Sequence, residues 1–160
     1  MLIHQGLEAS LPFPCEVSML FDKTKSDQIA QDLLGMSFEM CGRGPDKIDC
    51  YGVLILYFKG FDINLPDYSY TEDWEANSEI YLREYSRCFR KLSKDEELEI
   101  GDVILFHWKE YPTHAGVYLG ESRFIHSYDK AGTRIDSLTN PQWKQKVDNY
   151  FRIKEEKLAN

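Results

Sequence analysis

Cysteine and histidine are the side chains in this sequence that could do nucleophilic and acid–base chemistry near neutral pH, and the 160-residue chain has four of each. One of them, Cys50, directly precedes a run of apolar residues, 53–58, that predicts a buried helix. The partial positive charge at a helix N-terminus favours a thiolate, so the position of Cys50 predicts a nucleophile. A buried structural thiol is the alternative, because free cysteine is among the most buried residue types.

Two histidines lie in segments that could bring them to this thiol. His114 opens an apolar segment and is followed by two small residues, Ala115 and Gly116, which allow another chain segment to approach the imidazole closely. His126 lies twelve residues further on, and a hairpin between the two segments would place both imidazoles near the same open end. His114 would then act as base and acid for Cys50, and His126 would accept the Nδ1–H of His114 and so fix its tautomer. Two unrelated histidines, each bound to water, are the alternative.

The elements that must position these side chains change type halfway along the chain. Helical patterns come first, at 24–34, from Cys50 to Gly60, and at 78–92. Strand patterns follow at 103–106, 114–119 and 123–128, with a fourth at 148–153, and their spacing favours an antiparallel meander. Helices followed by a sheet predict an α+β fold. Residues 1–22 are interpreted as a lead-in segment and residues 23–160 as one domain.

The sequence also predicts how two of the helices begin and which face one of them buries. Ser26 and Ser78 are the expected N-caps of the first and third helices. The expected apolar face of the third helix consists of Ile80, Leu82, Tyr85 and Phe89.

The composition argues against several classes of function. The net charge is −8 and the pI is about 5.0, so the chain has no general electrostatic attraction to nucleic acid. The longest apolar run is far shorter than the ~20 residues that span a bilayer, and the first fifteen residues do not resemble a secretory signal. No two cysteines have C-x-x-C spacing, and Pro112 interrupts the loose group of His107, Glu110 and His114, so neither a metal nor a cofactor is expected.

Four motifs follow one another along roughly residues 25–135: Asp49-Cys50-Tyr51-Gly52, Gly101-Asp102-Val103-Ile104-Leu105-Phe106, His114-Ala115-Gly116-Val117-Tyr118-Leu119-Gly120 and Phe124-Ile125-His126-Ser127. In this order they resemble the NlpC/p60-type family of cysteine peptidases. These papain-like enzymes cut peptidoglycan stem peptides, commonly between D-Glu and a diamino acid. The resemblance implies a papain-like NlpC-type fold, with N-terminal helices packed on a small antiparallel sheet. It also implies that Cys50 is the nucleophile, with its backbone N–H in the oxyanion hole, His114 the general base and acid, and His126 the orienting residue.

The sequence departs from the family's pattern at three positions. Phe38 stands where the family usually has tyrosine, twelve residues before Cys50, so that hydroxyl is absent. Cys41-Gly42 replaces the usual Gly-Gly pair, and Tyr51 replaces the usual serine after the nucleophile. Asp49 is expected to cap the helix through its carboxylate. The candidate substrate contacts are Phe38, Arg43, Asp49 and Tyr51.

The loop 42–52 and the segment 63–68 are similar to phage and prophage members of the family, which are often tail-assembly or cell-wall peptidases. The expected function is therefore hydrolysis of stem peptides by a phage- or prophage-tail-associated enzyme. Local cations such as Arg43 would recognise the acidic groups of the substrate. Such a protein would be made in the cytoplasm and act at the cell wall or periplasm after delivery, or within a phage tail. The alternatives are an interbacterial toxin with an immunity protein as partner, an acyltransferase on the same fold, and a non-enzymatic tail module.

Overall fold

The computed structural model describes residues 20–158 and has the predicted α+β class. The helices are α1 (Lys23–Leu33), α2 (Cys50–Lys59), α3 (Trp74–Cys88) and a short α4 (Pro141–Lys144). The strands are β1 (Ser37–Phe38), β2 (Lys47–Ile48), β3 (Phe89–Lys91), β4 (Val103–Trp108), β5 (Tyr111–Gly120), β6 (Arg123–Tyr128), β7 (Gly132–Ser137) and β8 (Val147–Ile153). A 3-10 turn, Glu155–Lys157, follows β8. The predicted lead-in at 1–22 lies outside the described residues except for its last three positions.

The first helix is confirmed, but it begins at a different cap from the one expected. Asp22 is the N-cap, and its carboxylate accepts a hydrogen bond from the backbone N–H of Lys25 at 2.9 Å. Ser26 lies on the buried face of α1, where its hydroxyl is hydrogen-bonded to the hydroxyl of Tyr57 at 2.8 Å. The prediction of Ser26 as cap is wrong because this hydroxyl joins α1 to α2.

The second helix carries Cys50 as its first residue and is buried almost all round, as its apolar sequence predicts. Asp49 is its N-cap, and the Oδ1 of Asp49 accepts the backbone N–H of Gly52 at 2.8 Å. A β-carbon at Gly52 would lie 2.4 Å from the carbonyl oxygen of Gly42, so the glycine lets the first turn of α2 lie directly on the preceding loop. Residues 53, 54, 57 and 58 of the helix are fully buried, which fixes the position of its N-terminus.

The third helix starts earlier and ends earlier than predicted. Its N-cap is Asp73, whose carboxylate accepts the backbone N–H groups of residues 75 and 76, so the expected cap Ser78 is an interior residue. The helix ends at Cys88, because Phe89 adopts an extended backbone and begins β3.

The buried stripe of α3 also differs from the expected one. Leu82 is 46% exposed, whereas Tyr81, Tyr85 and Cys88 are buried. These three positions follow the i, i+4, i+7 spacing of one helix face. Because successive residues are about 100° apart around a helix, Leu82 points away from the face that holds Tyr81.

The six-stranded sheet has the order β3-β8-β4-β5-β6-β7. Its run from β4 to β6 is the predicted meander, and β7 extends it by one strand. The predicted fourth strand is β8, which pairs antiparallel with β4 on the other side. The edge strands β3 and β7 were not predicted. In β7 the sequence Gly-Thr-Arg-Ile-Asp-Ser carries a single large apolar residue, so the period-2 signal is weak.

The two faces of the sheet are covered by different elements. Helices α2 and α3 pack on β5 and contribute to the main hydrophobic core. On the other face, Trp143 of α4 packs against Phe106 and Phe124. Within residues 20–158, no helix is both long enough and apolar enough to cross a membrane.

Candidate active site

Cys50 lies where α2, α3 and β5 meet. Its Sγ is 3.9 Å from the carbonyl oxygen of Thr113, the residue that precedes His114. It is also 3.9 Å from the hydroxyl of Tyr81, on α3. Only 7% of Cys50 is exposed. The thiol is therefore enclosed by α2, by α3 and by β5, the strand that carries His114.

His114, His126 and Asp136 form a continuous hydrogen-bonded row across β5, β6 and β7. The Nε2 of His114 is 2.8 Å from the Nδ1 of His126, and the Nε2 of His126 is 2.7 Å from the Oδ2 of Asp136. His126 is fully buried, and Asp136 also pairs with the Nε of Arg134 at 3.0 Å. The row therefore runs from His114, which lines the same cleft as Cys50, to a carboxylate on the edge strand β7.

The register of the sheet brings the row together. Val117 lies opposite Ile125 in the β5–β6 pair, and His126 lies opposite Arg134 in the β6–β7 pair. With these registers, each member of the row is a diagonal neighbour of the next on one face of the sheet. A β-carbon at Gly116 would lie 3.0 Å from the carbonyl oxygen of Ile125, so a small residue after His114 does allow the close approach that the sequence predicts.

Asp136 is the member of the row that the sequence analysis missed. Turn-forming residues at 129–132 and a polar alternation at 133–137 signal a further hairpin strand, but only weakly. Without β7, nothing in the sequence connects this carboxylate to His126, ten residues earlier.

The hydrogen bonds determine which nitrogen of His114 can act on the thiol. A carboxylate only accepts hydrogen bonds, so His126 donates its Nε2–H to Asp136 and its Nδ1 accepts the Nε2–H of His114. The remaining nitrogen of His114, Nδ1, therefore has its lone pair available. His126 is the acceptor, as predicted from the sequence, but the nitrogen of His114 that donates to it is Nε2 and not the predicted Nδ1.

Burial keeps the thiol protonated in the free protein. It raises the pKa of Cys50 to about 12, and the carboxylate of Asp49 adds to this shift. Hydrogen bonds from the backbone of Ala115, the hydroxyl of Tyr81 and the backbone of Tyr51 lower the pKa but do not outweigh burial. The thiolate predicted from the helix N-terminus is therefore not the resting state of Cys50.

The imidazole of His114, which lines the same cleft as the thiol, is also neutral at rest. Burial holds the pKa of His114 well below 6.5, and the charges of His126 and Lys146 act in the same direction. Burial lowers the pKa of His126 as well, although its hydrogen bond to Asp136 opposes the shift. The site thus holds a neutral thiol and a neutral base, and charge can form there only when proton transfer accompanies attack on a substrate.

Cys50 and His114 open onto a cleft with an empty volume of about 720 Å³. Of the four candidate substrate contacts, Phe38 and Asp49 line this cleft, whereas Arg43 and Tyr51 do not. The other lining residues are Met40, Tyr70, Asn77, Tyr81, Trp108, Lys109, Thr113, Ser127, Tyr128 and Asp129.

Arg43 is engaged by carboxylates of the protein itself. Its Nη1 donates to the Oδ1 of Asp49 at 2.8 Å, and its Nε donates to the Oδ1 of Asp67 at 3.0 Å. Asp49 also accepts hydrogen bonds from the backbone N–H of Cys41 and the hydroxyl of Tyr70. Arg43 and Asp49 therefore tie the 62–73 loop to the N-terminus of α2, and the guanidinium has two anionic partners before any substrate arrives.

Tyr51 holds the same loop from its other side. Its hydroxyl donates to the carbonyl oxygen of Pro66, and its ring centroid lies 4.4 Å from that of Tyr68. Only 2% of Tyr51 is exposed. Tyr51 therefore belongs to the packing of α2 against the 62–73 loop.

The chemistry available at this site is that of a free thiol and an imidazole. The described cysteines, Cys41, Cys50 and Cys88, all carry free thiols. In the described part of the chain, no group of three or more His, Cys, Asp and Glu side chains is placed to hold a metal ion.

The fold and the site together define an α+β protein in which a cysteine at a helix N-terminus shares a cleft with the first member of a His–His–Asp row. The family model of the NlpC/P60 family matches residues 35–152, which is 118 of the 160 residues. The chain belongs to this family, as the motifs around Cys50, His114 and His126 predict.

Comparison with curated proteins gives relatives that are longer than this chain. The murein DD-endopeptidase MepS/murein LD-carboxypeptidase of Escherichia coli is 27% identical over 128 residues, which cover 79% of this chain and 60% of that protein. A probable endopeptidase of Haemophilus influenzae is 27% identical over 122 residues, covering 74% of this chain and 67% of that protein.

Solved structures confirm the fold. An NlpC/P60 family protein from Bacillus cereus superposes with a TM-score of 0.62 at 21% identity, covering 82% of this chain and 40% of that one. RipD from Mycobacterium tuberculosis gives a TM-score of 0.55 at 14% identity, and the superposition covers 83% of this chain and 96% of that one. RipD is described as a non-catalytic NlpC/p60 domain protein adapted to peptidoglycan binding. The fold is therefore shared by a protein described as non-catalytic, so an activity has to be argued from the side chains of the site.

Proposed function

We propose that this protein is a cysteine peptidase that hydrolyses stem peptides of peptidoglycan, with the bond between D-Glu and the diamino acid as the expected target. The observation that carries the proposal is that Cys50 and His114 open onto one cleft while His126 and Asp136 support His114 from behind. Burying such a polar row is costly unless it is hydrogen-bonded, and a merely structural thiol does not require it. Family membership and the murein endopeptidases among the relatives support the substrate class.

Acylation begins with a neutral pair. As the Sγ of Cys50 attacks the carbonyl carbon of the substrate, its proton passes to the Nδ1 of His114. The developing imidazolium donates its Nε2–H to His126, which in turn donates to the carboxylate of Asp136. The oxyanion forms near the first turn of α2, where the backbone N–H of Cys50 is a suitable donor. The proton on His114 then passes to the leaving nitrogen, the C–N bond breaks, and a thioester remains on Cys50.

Deacylation uses the same imidazole a second time. A water molecule attacks the thioester carbonyl while His114 accepts one of its protons. The C–S bond breaks, the proton returns to the sulfur, and the peptide leaves with a new carboxyl group. An amine acceptor in place of water would give the acyl transfer reaction instead.

The decisive test is mass spectrometry of muropeptides and intact sacculi incubated with the wild type, Cys50→Ala and Cys41→Ala. Cys41→Ala is the matched control, because it removes an exposed thiol that does not line the cleft. We expect new fragments ending at D-Glu with the wild type and the control, and none with Cys50→Ala. Products joined to an added amine would favour the acyltransferase.

Binding of sacculi by all three proteins without any cleavage would contradict the peptidase and favour a binding module. Action within a phage tail, or as a toxin after delivery to the cell wall, stays a prediction from the sequence. Tail genes or an immunity gene next to the coding gene would separate these two settings.

A further inference from the structure

A second depression lies beside the active-site cleft. It has an empty volume of about 950 Å³ and shares Trp108, Lys109, Tyr128 and Asp129 with the cleft. Its far side is formed by Lys130, Gln142, Trp143 and Lys146. A peptide lying in the cleft could therefore extend into this pocket without leaving the protein surface.

Lys146 is held at a defined place in this pocket. Its Nζ lies 5.0 Å from the ring centroid of Trp108 and 5.1 Å from that of Trp143, both within the range of a cation–π contact. The two indoles are stacked, with their centroids 6.5 Å apart and their planes at 14°. The carbonyl oxygen of Lys146 also accepts the backbone N–H of His107 at 2.7 Å. The ammonium is thus positioned before any ligand arrives, which lowers the entropic cost of using it.

The pocket is positive within an acidic protein. Its lining carries Lys109, Lys130 and Lys146 against one carboxylate, Asp129, whereas the whole chain has a net charge of −8. The net charge would repel an anionic ligand in general, but this local field would attract one.

The charge of Lys146 also reaches the active site. Trp108 and Trp143, which support Lys146, have their ring centroids 5.1 and 6.1 Å from that of His114. The ammonium disfavours protonation of His114 and so contributes to the lowered pKa of this imidazole. An anion bound to Lys146 would offset this repulsion and ease the formation of the imidazolium that acylation needs.

We propose that this pocket is a subsite for a carboxylate group of the peptide substrate, with Lys146 as its cationic partner and Trp108 and Trp143 as its apolar floor. The inference rests on the proposed peptidase function and adds a substrate requirement to it. From the sequence, cations such as Arg43 are expected to recognise the acidic groups of the substrate. The structure shows Arg43 paired with Asp49 and Asp67, and it places Lys146 in the pocket that adjoins the cleft.

The test uses a stem peptide and a set of analogues in which each carboxylate in turn is replaced by a carboxamide. Lys146→Met removes the charge and keeps an apolar chain of similar length on the indoles, whereas Lys146→Arg keeps the charge. Lys144→Met is the matched control, because it removes the same charge from an exposed residue of α4 that does not line the pocket.

For the parent peptide, we expect Lys146→Met to lower kcat/KM about three- to tenfold, and Lys146→Arg to restore most of the loss. With the wild type, one carboxamide analogue should have a kcat/KM lower than that of the parent peptide by a similar factor. Lys146→Met should not lower kcat/KM on this analogue any further. Lys144→Met should behave as the wild type. If Lys146→Met lowers kcat/KM equally on every analogue, or lowers it on none of the peptides, the subsite is refuted.

Binding measured by calorimetry on the Cys50→Ala protein separates this inference from the proposed function. Suppose that the wild type cleaves none of the peptides, but that Cys50→Ala binds the parent peptide more tightly than it binds one of the carboxamide analogues. The peptidase proposal then fails and the subsite stands. This preference should disappear when Lys146→Met is added. If the wild type cleaves the parent peptide and binding shows no dependence on Lys146, the subsite fails and the peptidase proposal stands.

Discussion

The hydroxyl of Tyr81 provides a sharp test of how the thiol is activated. It lies 3.9 Å from the Sγ of Cys50, and burial holds the pKa of Tyr81 well above 10.0, so this hydroxyl stays protonated. A protonated hydroxyl at this place can donate to the sulfur once the thiolate forms, and its hydrogen bond lowers the pKa of Cys50. Tyr81→Phe removes this donor and keeps the ring that lines the cleft.

The size of the effect follows from the geometry. A hydrogen bond to a charged group contributes about 1.5–3 kcal/mol. A contact at 3.9 Å to sulfur belongs at or below the lower end of this range, so we expect a loss of about 1.4 kcal/mol. This corresponds to about one unit in the pKa of Cys50 and about a tenfold fall in its thiolate fraction at a fixed pH.

The assay is the rate of alkylation of Cys50 by iodoacetamide as a function of pH, followed on the Cys50 peptide by mass spectrometry. Tyr85→Phe is the matched control, because Tyr85 lies one turn away on α3 and its buried hydroxyl has no hydrogen-bond partner. We expect Tyr81→Phe to react about tenfold more slowly below the pKa of Cys50, and Tyr85→Phe to react like the wild type. If both variants react like the wild type, or both slow down equally, the assignment of Tyr81 as a donor to the sulfur is refuted.

Three further predictions follow from the row behind the thiol and from the helix that carries it. Asp136→Asn keeps an acceptor for His126 but removes the negative charge, so kcat on a stem peptide should fall about tenfold with little change in Tm; an unchanged kcat would show that the carboxylate does not support the imidazolium. Because burial lowers the pKa values of His114 and His126 below 6.5, the unfolded chain binds more protons than the folded one in the window below pH 6.5. The free energy of unfolding, measured with urea, should therefore be fully developed above pH 6.5 and decrease as the pH falls, and His126→Gln should reduce this decrease. Gly52→Ala places a methyl group 2.4 Å from the carbonyl oxygen of Gly42, so it should lower the free energy of unfolding by about 1–3 kcal/mol. An unaltered urea midpoint would contradict the close packing of α2 on the preceding loop.

Elements whose signals are local can be predicted from the sequence alone. An apolar run preceded by a capping carboxylate predicts α2 and places Cys50 at its start, because a cap and a buried face depend on residues within one or two turns. The strand patterns likewise predict the segments that carry His114 and His126. The order of these motifs was enough to indicate the family, since each motif is itself a short local pattern.

Which distant residues act on these side chains depends on the tertiary packing. Asp136 joins the row through a strand whose own pattern is weak, and the register of β5, β6 and β7 decides that His126 lies between His114 and Asp136. Lys146 lies in the pocket beside the cleft, over the ring of Trp143, which packs on the outer face of the sheet. The protonation state of Cys50 follows in the same way, because burial by α3 and β5 outweighs the local effect of the helix N-terminus. The burial and the electrostatic environment of a side chain depend on every group that packs around it. Because those groups are far apart along the chain, short local patterns do not predict them.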